Sequence, residues 1–154
     1  MVEVSDDDVR KLVLELNRGG VAWVNGRTEK VGTDHMAQAP DMTIFGPFGG
    51  DVSTNSPELE ARQAQMSAKF LSGTAKYELR KAMASGDLLV LVMVERCEVT
   101  FEGHSQPQPW VLRTTQVFKR DGDRWLRLHR HADPLIKRRS FDETLAVAAD
   151  TGAV

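Results

Sequence analysis

Apolar residues near the N-terminus recur every three or four positions, the spacing of one helix face. They are Val9, Leu12, Val13 and Leu16. Ser5, with Asp8 three residues later, has the pattern of a capping box, and acidic residues fill the first turn. Two glycines weaken the helix, but the stripe continues beyond them. We therefore predict one long or kinked helix from about Asp6 to Asn25, ended by Gly26.

Shorter elements are predicted for the middle of the chain. Thr33 can cap a short helix through residues 34–36, which Pro40 would stop. A strand from Met42 to Phe45 then runs into a glycine-rich loop. A second helix follows from Pro57, with an apolar face and an acidic first turn. Its cap is Asn55 or Ser56, its apolar face holds Leu59, Met66 and Phe70, and it closes at Gly73.

Four strands separated by short turns complete the pattern. They run from Ala75 to Met83, Leu88 to Phe101, Trp110 to Arg120 and Arg124 to Asp133. Short turns favour antiparallel pairing of neighbours, so the strands should form a meander. Helices followed by a meander indicate an α+β fold, in which the helices cover one face of a curved sheet and leave a pocket at its open mouth.

The last strand carries an unusual set of polar residues. Simple alternation places Trp125, Arg127, His129 and His131 on one face. Leu126, Leu128, Arg130 and Ala132 then face the other way. Two imidazoles, a guanidinium and an indole on one face require either polar partners or a ligand. If the protein is a non-catalytic, dimerising domain, Leu126 and Leu128, together with Val111, would mainly serve an outer dimer interface.

Length and charge narrow the class of protein. With 154 residues, the chain is expected to hold one domain, residues 1–136, with a peripheral tail over residues 137–154. The net charge of −2 argues against a nucleic-acid partner, and the basic cluster from Lys119 to Arg139 has no interleaved aromatic residues. The single Cys97 excludes an internal disulfide, the N-terminus is acidic, and no apolar run could span a bilayer. We expect a cytoplasmic protein without a membrane partner.

Several segments together resemble a known superfamily. They are the long N-terminal helix, "APDMTIFGPFGG", the helix starting at Pro57, "SGDLLVLVMVER" and "WVLRTTQVFKRDGDRWLRLHRHADP". Over roughly residues 6–135, the chain resembles the nuclear transport factor 2-like superfamily, in its SnoaL-like, ketosteroid-isomerase-like branch. The resemblance implies a cone-shaped α+β barrel with an internal pocket and a homodimer formed through the sheet.

The resemblance does not transfer one activity, because function resides in the site rather than the fold. Members include isomerases, polyketide cyclases, epoxide hydrolases, dehydratases and oligomerisation domains. In the ketosteroid isomerases an aspartate base follows the strand that corresponds to Met42–Phe45, and its approximate position here is Gly46. That base is therefore absent, and any chemistry must use other residues.

Three residues are candidate catalytic groups. His131 can exchange protons near neutral pH, and Glu95 interrupts an apolar strand face, where a carboxylate should be paired or act as a base. Arg113 can hold an oxyanion. The alternatives are that Glu95 lies on the outer face, or that Glu95 and Arg113 form a structural ion pair.

Six residues are candidate substrate contacts, although each can also serve packing. They are Trp23, Phe45, Phe48, Tyr77, Trp110 and His129. Core packing is favoured for Phe45 and Trp125, and a structural hydrogen bond for His129. Phe48 and the following glycines could form a mobile lip. We expect no metal site, because a His-x-His pair needs a third ligand that nothing in the sequence fixes.

Two functional hypotheses follow. The first is an enzyme that performs acid–base chemistry without a cofactor on an apolar, oxygenated small molecule. The reaction would be an isomerisation, cyclisation, dehydration or epoxide opening. The second is a non-catalytic domain that binds a ligand or forms a homodimer, with the same polar residues acting as a static network.

Overall fold

A computed structural model describes residues 3–27 and 36–152. These residues form three helices, α1 to α3, and six strands, β1 to β6, and the last four strands follow one another without a helix between them. In chain order they are α1 Asp6–Val24, β1 Met36–Phe45, β2 Ser53–Thr54, α2 Pro57–Ser67, β3 Phe70–Ser85, β4 Leu88–Phe101, β5 Gln108–Asp121, β6 Arg124–Pro134 and α3 Phe141–Ala149. The strands form one curved, unclosed sheet in the order β2-β1-β6-β5-β4-β3. The predicted α+β fold is confirmed.

Helix α1 begins as the sequence predicts, with the reciprocal Ser5 and Asp8 capping box. It runs without a break through its two glycines, and one of them makes room for a neighbouring side chain. A side chain added at Gly20 would collide with the ring of Tyr77 on β3. Asn25 ends the helix and accepts a hydrogen bond from the Gly73 backbone N–H at 3.3 Å. The C-terminal part of the helix is therefore fixed against β3.

The middle of the chain departs from the prediction. Met36 begins a strand rather than ending a short helix, while Thr33, Asp34 and His35 lie outside the described residues. Helix α2 is capped by Ser56 and ends at Ser67, well before Gly73, so Phe70 belongs to β3. Strand β2, which was not predicted, pairs with the end of β1.

Strands β3 to β6 form the predicted antiparallel meander. Strand β1 adds a pairing that was not predicted, because it runs parallel to β6. The inner face of the sheet and helix α1 enclose the main apolar core. Its buried members are Leu12, Leu16, Met36, Leu89, Leu91, Met93, Phe118 and Trp125. The expected packing role of Trp125 is confirmed.

A β-bulge in β6 changes which residues face inward. Val117 pairs with His129 and Phe118 pairs with Arg127, so Leu128 has no partner on β5. The alternation of β6 therefore reverses at Leu128. Arg127 and Arg130 line the inner cavity, whereas His129 and His131 face outward. The prediction that all four polar residues share a face is wrong for this reason.

The two leucines expected on an outer dimer face also contact other parts of the chain. Leu126 and Leu128 are partly buried against a small apolar cluster at the β1 side of the sheet. That cluster consists of Ala39, Met42, Ile44 and Leu59. These leucines therefore contribute to packing within the chain, and their part in a dimer interface stays a prediction.

The tail holds α3, which starts with a capping box formed by Ser140 and Glu143. None of its residues is buried. The domain boundary at residue 136 stays a prediction. Within the described part of the chain, every helix is too short or too polar to cross a membrane.

Candidate functional site

A cavity of about 730 Å³ lies between the inner face of the sheet and the two helices α1 and α2. Its size is typical of small-molecule sites. Leucine, isoleucine, methionine and aromatic side chains form the apolar part of its wall, and the loop after β1 forms part of its mouth. Polar side chains from β1, β3, β4, β5 and β6 gather on the sheet side of the cavity.

A buried ion pair is the centre of this polar group. The Arg130 guanidinium donates from Nη2 to Glu95 Oε2 at 2.8 Å, and the two side chains are 18% and 4% exposed. Gln116, on the strand between them, donates a long hydrogen bond of 3.5 Å to Glu95 Oε1. Burial opposes the charge of Arg130, but the Glu95 carboxylate outweighs it and raises the pKa of Arg130. The carboxylate and the guanidinium therefore stabilise each other within the cavity wall.

Arg127 lies beside this pair but has different partners. Its Nε donates to Gln38 Oε1 and its Nη1 to Gln116 Oε1, both at 3.0 Å. Burial, followed by repulsion from Arg130, lowers the pKa of Arg127 to about 10. The guanidinium still carries its charge at neutral pH.

Tyr77 brings a phenol to the same group. Burial first, and then the charge of Glu95, raise the pKa of Tyr77 well above 10. Its backbone N–H donates to Asn17 Oδ1 at 2.7 Å, and Gly20 leaves space for its ring. Tyr77 is therefore a fixed, protonated hydroxyl at neutral pH.

Cys97 also lines the cavity, and it is buried. Burial first, and then the Glu95 carboxylate, raise the pKa of the Cys97 thiol to about 12. Because the thiolate is the reactive form, this thiol is a poor nucleophile at neutral pH.

Aromatic rings extend from the cavity wall to its mouth. Trp110 packs edge-on against Phe70 at 5.4 Å between ring centroids and contacts Phe48 at 5.7 Å. Trp23 meets Phe70 at 6.0 Å. Phe48 is 61% exposed, so a ligand could displace it at little cost in buried area. The wall thus provides stacking surfaces for an apolar ligand.

The structure divides the predicted site residues between two faces of the sheet. Glu95 and four of the predicted substrate contacts line the cavity. The four are Trp23, Phe48, Tyr77 and Trp110. Phe45 and His129 lie on the outer face, where their rings are 5.9 Å apart and His129 Nδ1 is 2.8 Å from Thr43 Oγ1. This hydrogen bond matches the structural alternative for His129.

His131 and Arg113 also lie on the outer face, beside a shallow groove. Asp133 is 3.3 Å from the His131 ring and 3.6 Å from the Arg113 guanidinium. The predicted grouping of His131, Glu95 and Arg113 in one pocket is therefore wrong. The β6 bulge turns His131 outward, and Glu95 stands opposite Leu112, which leaves Arg113 on the other face.

Four polar residues on the sheet side of the cavity were not predicted as site residues, although one of them, Arg127, was placed on the polar face of the last strand. They are Gln38, Gln116, Arg127 and Arg130. Gln116 was visible as a polar residue in the inward series of Leu112, Thr114 and Phe118. The sequence did not show that Arg127 and Arg130 face the same cavity, because no glycine or other turn residue marks the bulge at Leu128. Within the described ranges, no cluster of three or more histidine, cysteine or acidic residues could hold a metal ion.

Comparisons with known proteins give a fold rather than an activity. No family model and no curated protein matches the sequence. A nuclear transport factor 2-like (NTF2-like) superfamily protein from Salmonella enterica is similar in structure, with a TM-score of 0.70 and 16% identity. The match covers 90% of this chain and 99% of the other. A candidate dehydratase of the NTF2-like family from Streptomyces avermitilis is similar with a TM-score of 0.64 and 20% identity, and the match covers 85% of this chain and 98% of the other. A CaMKII hub from S. rosetta is similar with a TM-score of 0.65 and 14% identity, and the match covers 86% of this chain and 99% of the other.

These likenesses establish the NTF2-like fold for this chain, as the resemblance in sequence predicted. At 20% identity or less, they do not carry a reaction or a partner.

Proposed function

We propose that this NTF2-like cavity binds a small, largely apolar molecule with an oxygen function, and that the protein catalyses cofactor-independent proton transfer on it. The reaction class is isomerisation, cyclisation, dehydration or epoxide opening. The observation that carries the proposal is the meeting of a carboxylate, a phenol and a guanidinium in the wall of an apolar cavity. A protonated and a deprotonated group side by side are what acid–base catalysis requires.

Glu95 is the proposed proton acceptor. Its carboxylate lies in the cavity wall with its side chain only 4% exposed, so little water competes for it. Tyr77 stays protonated and can donate a hydrogen bond to the ligand oxygen. Arg130 holds the carboxylate and adds positive charge where an oxyanion would form. The aromatic side chains at the mouth would contact the apolar part of the ligand.

This assignment replaces two of the residues expected from sequence. His131 and Arg113 face away from the cavity and have no role in the proposed step. Gly46, the position of the missing aspartate base, lines the cavity. A base must therefore come from elsewhere in the wall, and Glu95 supplies it. The similarity to a candidate dehydratase supports this class of chemistry without identifying the substrate.

Solvent deuterium exchange tests the proton transfer directly. A panel of apolar cyclic ketones, such as tetralone, is incubated with the protein in deuterated buffer, and loss of the α-proton signal is followed by NMR. We expect faster exchange for at least one ketone with the wild type and loss of that acceleration in Glu95→Gln. The matched control, Asp133→Asn, changes a carboxylate on the outer face and should exchange like the wild type. Binding without accelerated exchange would contradict catalysis and favour a static pocket.

A non-catalytic, homodimerising domain is the second candidate. The similarity to a CaMKII hub supports assembly, because that protein is described as a hub. The exposed outer face, with the groove beside Arg113 and His131, is the surface we propose for a homodimer through the sheet. Light scattering over a dilution series tests this, and a soluble monomer at all concentrations would contradict it.

The single cysteine remains the basis for proposing a cytoplasmic location.

A further inference from the structure

The polar side of the cavity carries more positive than negative charge. Its buried ionisable side chains with a charge at neutral pH are Glu95, Arg127 and Arg130. Glu95 is engaged by Arg130 at 2.8 Å. The other acidic residues of the cavity wall, Asp51 and Glu60, are exposed near its mouth and are solvated there. Among the described residues that line the cavity, one positive charge therefore has no buried counter-charge of its own, and the buried carboxylate of Glu15 lies outside this lining.

Arg127 bears this unbalanced charge. Its partners are the carboxamide oxygens of Gln38 and Gln116, which orient the guanidinium but carry no charge. Among the residues that the structure describes, no carboxylate hydrogen-bonds to Arg127. A guanidinium has five N–H donors, and these two bonds leave the others available.

An unbalanced buried guanidinium is costly, because desolvation is repaid only by an opposite charge in good geometry. Arg127 is 8% exposed as a residue and lines the cavity, so its free donors can be reached by a bound molecule but only weakly by bulk water. Two fixed amides hold it in one orientation, which lowers the entropy cost of binding a planar anion. A ligand carboxylate would match both the charge and the planar geometry.

We propose that the natural ligand is a small monocarboxylate, with its carboxylate bound to Arg127 and an aryl or alkyl body against Trp23 and Trp110. This inference rests on the proposed ligand-binding function and adds the substrate class. The polar and apolar parts of the cavity then select the two ends of the ligand separately. Gln38 and Gln116 are positioning residues, since they act by orienting the guanidinium.

Phenylbutyrate and its neutral amide, phenylbutanamide, are matched probes. They share the aryl chain and differ in the charge of the head group. Titrations followed by tryptophan fluorescence should show that the wild type binds the acid at least about tenfold tighter than the amide, because charge-assisted hydrogen bonds are the stronger ones. In Arg127→Met the acid should lose this preference, whereas Arg113→Met, on the outer face, should keep it.

The outcomes separate the two proposals. Equal binding of acid and amide by the wild type overturns the carboxylate proposal but leaves a ligand cavity. If neither phenylbutyrate nor phenylbutanamide binds while the ketones still bind, the carboxylate proposal is also overturned. If no compound binds at all, the proposed function is overturned as well. Preference for phenylbutylphosphonate over the acid would replace the carboxylate with a larger oxyanion. A preference that persists in a folded Arg127→Met contradicts the role of Arg127, and the wild-type comparison stands even if that variant does not fold.

Discussion

Strands β4 to β6 carry an ion pair on each face of the sheet, and the two pairs differ mainly in burial. On the inner face, Arg130 and Glu95 are 2.8 Å apart with side chains 18% and 4% exposed. On the outer face, Arg113 and Asp133 are 3.6 Å apart with side chains 67% and 44% exposed. The inner charges depend on each other because water cannot replace either partner, whereas water solvates both outer charges. An arginine and a carboxylate thus form a buried ion pair in the cavity wall on one face and a solvated surface pair on the other.

The largest expected effect comes from removing one partner of the inner pair. Glu95→Ala leaves the buried Arg130 guanidinium without its carboxylate, and we expect the free energy of unfolding to fall by about 3–5 kcal/mol. Asp133→Ala, the matched change on the outer face, should cost less than about 1 kcal/mol. Urea unfolding followed by circular dichroism measures both. Equal losses in the two variants would show that the inner pair is solvated and would remove the contrast between the faces.

The buried phenol gives the next largest effect, and it depends on pH. Tyr77 is the only tyrosine in the chain, so tyrosinate absorbance reports it alone. Its pKa is raised in the folded protein and about 10 in the unfolded chain. Below pH 10 the phenol is neutral in both states and contributes no pH dependence. Above pH 10 the unfolded chain ionises first, so stability should fall by up to about 1.4 kcal/mol per pH unit.

A spectrophotometric titration checks this expectation. The native protein should form no tyrosinate until it unfolds at high pH, while the urea-unfolded chain should titrate at the ordinary value of about 10. A native titration near pH 10 would mean that the hydroxyl is open to water. Tyr77 would still be protonated at neutral pH, but water would compete with a ligand for its hydroxyl, which would contradict the buried, fixed donor that the proposed function requires.

A smaller effect should come from added volume on the inner side. In Gly20→Ala the new methyl group meets the Tyr77 ring, and overpacking typically costs 1–3 kcal/mol. Alanine also favours a helix by about 1 kcal/mol relative to glycine, so the net loss should be about 1 kcal/mol. Gly46→Ala is the matched control, since nothing lies within 4 Å of its added methyl group. If the free energy of unfolding of Gly20→Ala were higher than that of the wild type, the Tyr77 ring would have to be able to move aside.

The sequence predicted most of the fold because its signals are local. The capping box at Ser5, the proline at the start of α2 and the alternation of Leu89, Leu91 and Met93 each depend on neighbouring residues. The parallel pairing of β1 with β6 was not predictable in this way. It joins segments about half the chain apart, and no short-range pattern encodes it.

The candidate site was predicted only in part, and one residue accounts for most of the difference. Glu95, Tyr77 and the tryptophans of the cavity followed from regular alternation or from their position at element ends. The inserted Leu128 reverses the alternation of β6, which places Arg130 and Ala132, rather than His129 and His131, on the inner face with Arg127. A bulge without glycine leaves no mark in the sequence, so strict alternation assigned His131 to the wrong side.

His131→Ala tests this division of the faces with the smallest expected effect. The ring is half exposed and contacts Asp133 and Phe45 on the outer face, so stability should change by no more than about 0.5 kcal/mol. Binding of phenylbutyrate and deuterium exchange should match the wild type, because no atom of His131 lines the cavity. If a folded His131→Ala lost exchange while Glu95→Gln kept it, proton transfer would belong to the outer face. The contrast drawn between the two faces would then be reversed, and the groove beside Arg113 would become the candidate active site.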